Sequence, residues 1–415
     1  MLDFVKTQKL YRNLIENDLM RFWEKAFDTE YGGIYTCYTN DGTTRLSDDK
    51  YVWSQGRMLW VLSRLCEMHD RGIVSINRQN DQKQADKTYR FLLEHALLDG
   101  EGVCAYLLTR DGNKKESIPG KGYYTSYFVD CFVLMGFMEY GRVFGYREPI
   151  EKALAIYDKM MGFLNRGDIR SEPYPVMPGI RAHSLPMILC NVCDVCVPAL
   201  RRFDHPRAQE LADAGRRYAS ETLTKFFDPG IGMVREMISD NPAFEDSVLL
   251  RHLAPGHTLE DMWFCMDMAG GDPALEKRIY SLVETGMEIG WDSQYGGLFR
   301  FIDIAGGSPR GKSLDDPYEK LLVDTWDTKL WWVHSEALYV TLRSYLQTGS
   351  EMFLKLYQKL EEYVFNVFPN PNRDIGEWIQ IRSRDGKPLN KVVALPVKDP
   401  YHILRNSMLI LEQLT

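Results

Sequence analysis

Apolar residues recur at i, i+3, i+4 and i+7 over long segments, at roughly 6–25, 52–70, 82–97, 124–143, 148–165, 183–201, 206–225, 257–270, 274–290, 327–347, 351–366 and 400–414. That spacing predicts twelve helices. The even-numbered ones start at about 52, 124, 183, 257, 327 and 400, a period near 70 residues that exceeds the roughly 20–50 of an open solenoid. They are also the more apolar, as in Met58-Leu59-Trp60-Val61-Leu62 and Leu185-Pro186-Met187-Ile188-Leu189, which suits an inner ring covered by an outer one. Four odd-numbered helices run into an Asp-then-Gly turn: Asp28-Thr29-Glu30-Tyr31-Gly32-Gly33, Asp99-Gly100-Glu101-Gly102, Asp228-Pro229-Gly230-Ile231-Gly232 and Asp292-Ser293-Gln294-Tyr295-Gly296-Gly297. A short alternating run follows each turn and predicts a hairpin arm. The pattern as a whole predicts an all-α fold, a closed (α/α)6 barrel of six helix pairs with short β-hairpins in the connecting loops, forming one domain over residues 1–415.

In such a ring the inner helices all start on one face, so polar residues in their first turns converge on a central pocket. Arg57, Ser126, Asp130, His183, His257, Glu260, Lys329, His334, His402 and Arg405 all occupy such positions. Two segments stand out. Pro255-Gly256-His257-Thr258-Leu259-Glu260-Asp261-Met262-Trp263 and Lys398-Asp399-Pro400-Tyr401-His402-Ile403-Leu404-Arg405 are both turns opening a helix, with a histidine in the first turn. Backbone N–H groups and the positive helix end disfavour protonation there, so each imidazole is expected to be neutral and able to take a proton. Together they predict a two-base site. Glu260, three residues beyond His257, is placed to hold that ring or to meet a substrate hydroxyl.

Composition narrows the partners. A formal net charge of -8 and the lack of any basic run argue against nucleic acid. The segment Met1-Leu2-Asp3-Phe4-Val5-Lys6 lacks an apolar signal core, and no stretch approaches roughly 18 uncharged residues, so a cytoplasmic protein with no membrane partner is expected. The eight cysteines are scattered through apolar segments and are expected to be reduced thiols, with Cys190, Cys193 and Cys196 as packing groups. No metal site is predicted, because no His-Glu-x-x-His or paired cysteine ligands accompany His257, and the Cys190, Cys193, Cys196 run has Leu200 where a fourth cysteine would stand. Gly306-Gly307-Ser308-Pro309-Arg310-Gly311-Lys312-Ser313 matches a phosphate loop letter for letter. It leads into Leu314-Asp315-Asp316-Pro317 rather than a helix and lies in no βαβ unit, so the tip of a long hairpin is expected instead.

Six short motifs are found along the chain: Tyr51-Val52-Trp53-Ser54-Gln55-Gly56-Arg57, Pro255-Gly256-His257-x-x-Glu260-x-x-Trp263, Trp291-Asp292-x-x-Tyr295-Gly296-Gly297, Lys329-x-Trp331-Trp332-x-His334-x-Glu336-Ala337, Gly376-Glu377-Trp378 with Arg384-Asp385-Gly386, and Tyr401-His402-x-x-Arg405. Together they resemble the N-acylglucosamine 2-epimerase family, which includes cellobiose 2-epimerases and aldose–ketose isomerases of mannose or sulfoquinovose. The resemblance implies an (α/α)6 barrel in which His257 and His402 are catalytic and move a proton at the carbon beside the carbonyl of an opened sugar. It implies substrate contacts from Arg57, Glu260, Arg251, His183, Lys329, Trp332 and Arg405. Arg57 would lie near the carbonyl oxygen, and Glu260 would support the first histidine. It further implies a small sugar substrate, no required metal or redox cofactor, ATP as a candidate allosteric effector and a homodimer as the candidate assembly. Return of the proton to C2 makes a 2-epimerase, and return to C1 an aldose–ketose isomerase. Ala254, where the family commonly has Asn, and Tyr401, where the N-acylglucosamine branch often has Phe, leave the sugar open. Two further classes fit the barrel: a glycoside hydrolase using Asp130, Glu260 or Glu336 as its acid pair, and a non-catalytic sugar-binding barrel.

Overall fold

The computed structural model describes residues 2–99, 103–392 and 396–415. Its long helices are α1, which begins as Phe4–Asn13 and continues through Leu14–Leu19 and Met20–Trp23, then α2 (Val52–Asp70), α3 (Arg78–Phe91), α4 (Tyr127–Phe144), α5 (Arg147–Asn165), α6 (Ser184–Arg202), α7 (Ala208–Glu221), α8 (Pro255–Met268), α9 (Pro273–Gly290), α10 (Trp331–Thr348), α11 (Glu351–Val367) and α12 (Tyr401–Gln413). Each even helix packs against the next even helix, and α12 packs against α2, which closes the inner ring. Each odd helix from α3 onward covers the inner helix before it, and α1 covers α12. The two chain ends therefore complete one helix pair. The expected (α/α)6 arrangement is the one observed.

Close helix approach needs small residues. At the crossing of α2 and α4, a Cβ on Gly56 would lie 2.4 Å from the Phe132 carbonyl oxygen, and one on Gly136 would lie 2.5 Å from the Gly56 carbonyl oxygen. Only glycine fits either place without moving backbone.

All four Asp–Gly turns close antiparallel pairs: Phe27 with Ile34, Leu97 with Cys104, Phe227–Asp228 with Met233–Val234, and Trp291 with Leu298. Gly100, Glu101 and Gly102 of the second turn lie outside the described residues. The first and fourth turns are built alike. One carboxylate oxygen of Asp28 accepts from the N–H groups of Glu30 and Tyr31, and one of Asp292 from those of Gln294 and Tyr295. The other oxygen of each takes a lysine and an arginine: Lys50 at 3.0 Å and Arg110 at 3.2 Å on Asp28, Lys329 at 3.1 Å and Arg384 at 2.8 Å on Asp292. A side chain of the following inner helix then holds the hairpin backbone. Gln55 accepts from the Ile34 N–H at 2.7 Å, and His334 from the Leu298 N–H at 2.9 Å.

Several boundaries differ from the periodic reading. The helix expected from 327 begins at Trp331, because Lys329 and Leu330 pair with Arg382 and Ile381 as strands. Two short helices, Val248–Arg251 and Pro317–Thr325, carry too few turns to leave a periodic signal. The phosphate-loop lookalike is a strap rather than a hairpin tip. Ile302–Asp303 pairs with Leu253–His252, Lys312 bridges Ser247, and the next helix starts only at Pro317. All eight cysteines are buried free thiols. Among the described residues one helix, Ser184–Arg202, is long and apolar enough to cross a membrane, but it carries Asp194, Arg201 and Arg202 and is an inner-ring helix with 67% of its apolar window buried.

Candidate active site

The N-terminal ends of the inner helices meet where the argument from symmetry places them. Pro255 sits at the first position of α8, where its missing N–H costs nothing and its fixed φ suits a helix start. Gly256 follows because a Cβ there would lie 2.9 Å from the Trp332 ring and 2.8 Å from Val333. That absent side chain lets Trp332 slide under His257, whose ring stacks on it at 5.0 Å between centroids and 30° between planes. His402 packs on the same Trp332 at 5.8 Å and 43°. The two histidines thus face one indole.

Each ring is oriented by a carboxylate at Nδ1. Glu236 lies 2.9 Å from His257 Nδ1, and Glu336 lies 2.6 Å from His402 Nδ1. Carboxylates at these positions take the Nδ1–H and leave Nε2 as the basic nitrogen. Glu236 lies in the bend between the hairpin arm Met233–Val234 and the strand Met237–Ile238, and is itself gripped from behind by His183, whose Nδ1 is 3.5 Å away and whose backbone N–H donates to the Glu236 carbonyl at 2.9 Å. His183 Nε2 in turn meets Asp261 at 2.8 Å, with both side chains fully buried. Burial alone would discharge His183, but Asp261 and Glu236 outweigh it and raise its pKa to about 9. The reverse holds for Glu236. Burial would protonate it, yet His257 and His183 hold its carboxyl well below the ordinary range.

At the other ring, Glu336 bridges three groups: His402, the Arg405 guanidinium at 2.6 Å and the Trp263 indole N–H at 2.9 Å. Arg405 also donates to Glu260 at 2.6 Å. His402 Nε2 has Arg57 Nη2 at 3.4 Å and Asp399 at 3.5 Å. Asp399 serves twice, because its other oxygen caps α12 by accepting from the Tyr401 N–H at 2.9 Å, while Arg57 donates to it at 3.2 Å. Arg57 also lies over the Phe132 ring at 3.9 Å, which fixes the plane of its guanidinium. Glu260, Glu336 and His402 are close enough to hold a cation, but the Arg405 guanidinium already occupies the space between the two carboxylates.

The structure therefore gathers His257, His402, Arg57, Glu260, Arg405 and Trp332 around one space, with His183 immediately behind. Of the substrate contacts expected, two lie elsewhere. Lys329 is fully buried on Asp292 and over the Phe299 ring at 4.3 Å, because the strand residue before α10 points into its hairpin. Burial lowers its pKa to about 8. Arg251 straps the 303–310 loop, with Asp303 at 2.7 Å, Asp246 at 2.8 Å and the Arg310 carbonyl at 3.1 Å. Asp130 is buried against the Cys104 N–H at 3.0 Å, away from the cluster. Two assignments change. The support of His257 is Glu236, whereas Glu260 pairs with Arg405 and stands 3.7 Å from His402. The helix end does not keep His257 neutral either: burial favours that outcome, but Glu236 outweighs it and raises the imidazole above its ordinary pKa. Glu236 carried no periodic signal, since it stands in a bend between two short strands, 21 residues before its partner.

The family model for N-acylglucosamine 2-epimerase (GlcNAc 2-epimerase) matches residues 33–406. The N-acylglucosamine 2-epimerase of Bos taurus is 31% identical over 411 residues, covering 96% of this chain and 90% of its own. Among solved structures, the cellobiose 2-epimerase of Bacillus thermoamylovorans B4167 superposes with a TM-score of 0.75 at 19% identity, covering 98% of this chain and 99% of its own. A D-mannose isomerase superposes with a TM-score of 0.74 at 16% identity, covering 97% of each chain. These two likenesses establish the shared fold.

Proposed function

Because the chain belongs to the N-acylglucosamine 2-epimerase family, we propose that it interconverts C2 epimers of an N-acylhexosamine by passing a proton between His257 and His402. The observation that carries this reading is the placement of both imidazoles against Trp332, each with a carboxylate at Nδ1 and Nε2 left as the basic nitrogen.

In the proposed cycle the sugar binds in its opened form with C2 between the two rings. One Nε2 removes the C2 proton. The electrons move onto the carbonyl oxygen, giving an enolate of the 2-acylamino sugar whose charge is stabilised by Arg57 and the inner helix ends. The other histidine, carrying its proton, delivers it to the opposite face. Glu236 favours the charged form of His257, which suits the donor role in one direction and, after turnover, the acceptor role in the other. Glu336 and Arg405 fix the plane of His402. Glu260 and Trp332 are assigned to the sugar, the first to a hydroxyl and the second to an apolar face. The chemistry needs only these side chains.

The test is to incubate the protein with N-acetylglucosamine, N-acetylmannosamine, glucose, mannose and cellobiose separately and to follow products by NMR. Interconversion of the two N-acetylhexosamines is expected. Conversion of mannose to a ketose with no action on the N-acetylhexosamines would replace the reading with isomerisation.

A further inference from the structure

A cavity of about 360 Å³ occupies the end of the barrel away from the histidines, lined by the C-terminal halves of all six inner helices. That volume is at the low end of the roughly 300–1,000 Å³ typical of small-molecule sites. It shares a wall with the histidine cluster, since Arg405 and Trp263 line it while also bonding Glu336.

Four of its lining side chains are more than nine-tenths buried and carry a polar atom with no partner: Trp60 Nε1, Asn191 Oδ1, Arg343 Nε and Arg405 Nε. Buried polar atoms are nearly always satisfied, so four unmet ones around one space call for an occupant. Its chemistry follows from what is already neutralised. Arg64 meets Glu412 and Glu139, Arg142 meets Glu139 and Glu67, Arg343 meets Asp267, and Arg71 meets Glu412. The five lining arginines face four lining carboxylates, Glu139, Asp194, Asp267 and Glu412, so the charge of the wall is close to balanced and favours neither an anion nor a cation. The unmet atoms are three donors and one acceptor, alongside the aromatic rings of Trp60, Trp263, Tyr339 and Tyr401. Hydroxyl groups both donate and accept, and sugar-like rings lie well against aromatic faces.

We propose that this cavity is a second, non-catalytic ligand site for a neutral polyhydroxylated molecule of monosaccharide size, linked to the catalytic cluster through Arg405. The proposal stands on the cavity's own lining and does not depend on the catalytic reading. Its mouth is at Arg71, whose side chain is 51% exposed.

The test is titration calorimetry with three neutral probes that carry no carbonyl, namely myo-inositol, D-glucitol and N-acetyl-D-glucosaminitol, with inorganic phosphate and glucosamine as charged controls. At least one neutral probe is expected to bind wild type. Asn191→Leu should weaken that binding about tenfold or more and Trp60→Phe several-fold, since each removes one unmet partner. The kcat/KM of Asn191→Leu, measured without added polyol, should stay within about twofold of wild type. If Asn191→Leu fails to fold, the conservative Trp60→Phe carries the test. Absence of neutral-probe binding, binding unchanged in both variants, or preference for phosphate or glucosamine would overturn the proposal.

Discussion

The two histidines of the cluster are oriented in the same way and surrounded differently. His257 has 30% of its side chain exposed and one carboxylate partner, Glu236, which is backed by the buried His183 and Asp261. His402 is 10% exposed, and its carboxylate Glu336 is shared with Arg405, while Arg57 faces its other nitrogen. One ring therefore answers to a single carboxylate, whereas the other lies among three, Glu336 at 2.6 Å, Asp399 at 3.5 Å and Glu260 at 3.7 Å, which Arg405 and Arg57 tie together. A pair of identical bases would both be empty or both full at a given pH, whereas a two-base epimerase needs one of each.

Removing either base is expected to have the largest effect. His257→Ala and His402→Ala should each lower kcat by about 10²–10⁴-fold or more while leaving the fold intact by circular dichroism. Retention of more than a tenth of wild-type activity in either would break the comparison. Next come the carboxylates. Glu236→Gln and Glu336→Gln should each cost about 10–100-fold, as for second partners of functional histidines generally. Glu236→Gln should also move the acidic limb of the kcat/KM profile to lower pH, because Glu236 is what raises His257 above its ordinary value.

A smaller effect is expected in stability. His183 is raised to about 9 in the fold, so its contribution is fully present below the unfolded value near 6.5 and is lost as pH rises through about 9. Thermal unfolding followed between pH 6.5 and 9.5 should show a loss on the order of 1 kcal/mol or more, and His183→Gln should flatten that slope. The least effect on chemistry is expected at Lys329 and Arg251. Lys329→Met and Arg251→Ala should keep kcat within about threefold, with any loss appearing in the melting temperature.

The sequence is a good guide to the barrel and an uneven guide to the site, for a physical reason. Helices of four or more turns print their period on the chain, so the ring, its order and the converging first turns of α8 and α12 were readable. Position in a first turn does not reveal which way a side chain leaves. Lys329 looked like a pocket residue, yet its strand pairing turns it onto Asp292, as Lys50 is turned onto Asp28 in the first repeat. The matching Asp–Gly turns were the available signal for that clamp. Glu236 had none, because a bend between two short strands carries no helical register and its partner is set by tertiary packing.

The central claim is that each histidine serves one face of C2, and the most direct measurement of it is solvent-hydrogen exchange in D2O with the single variants. Wild type should place deuterium at C2 of the product. His257→Ala and His402→Ala should each exchange the C2 hydrogen of one epimer, a different one in each case, without converting it to the other. Exchange of both epimers by one variant, or product formed by wild type in D2O without deuterium at C2, would contradict the account.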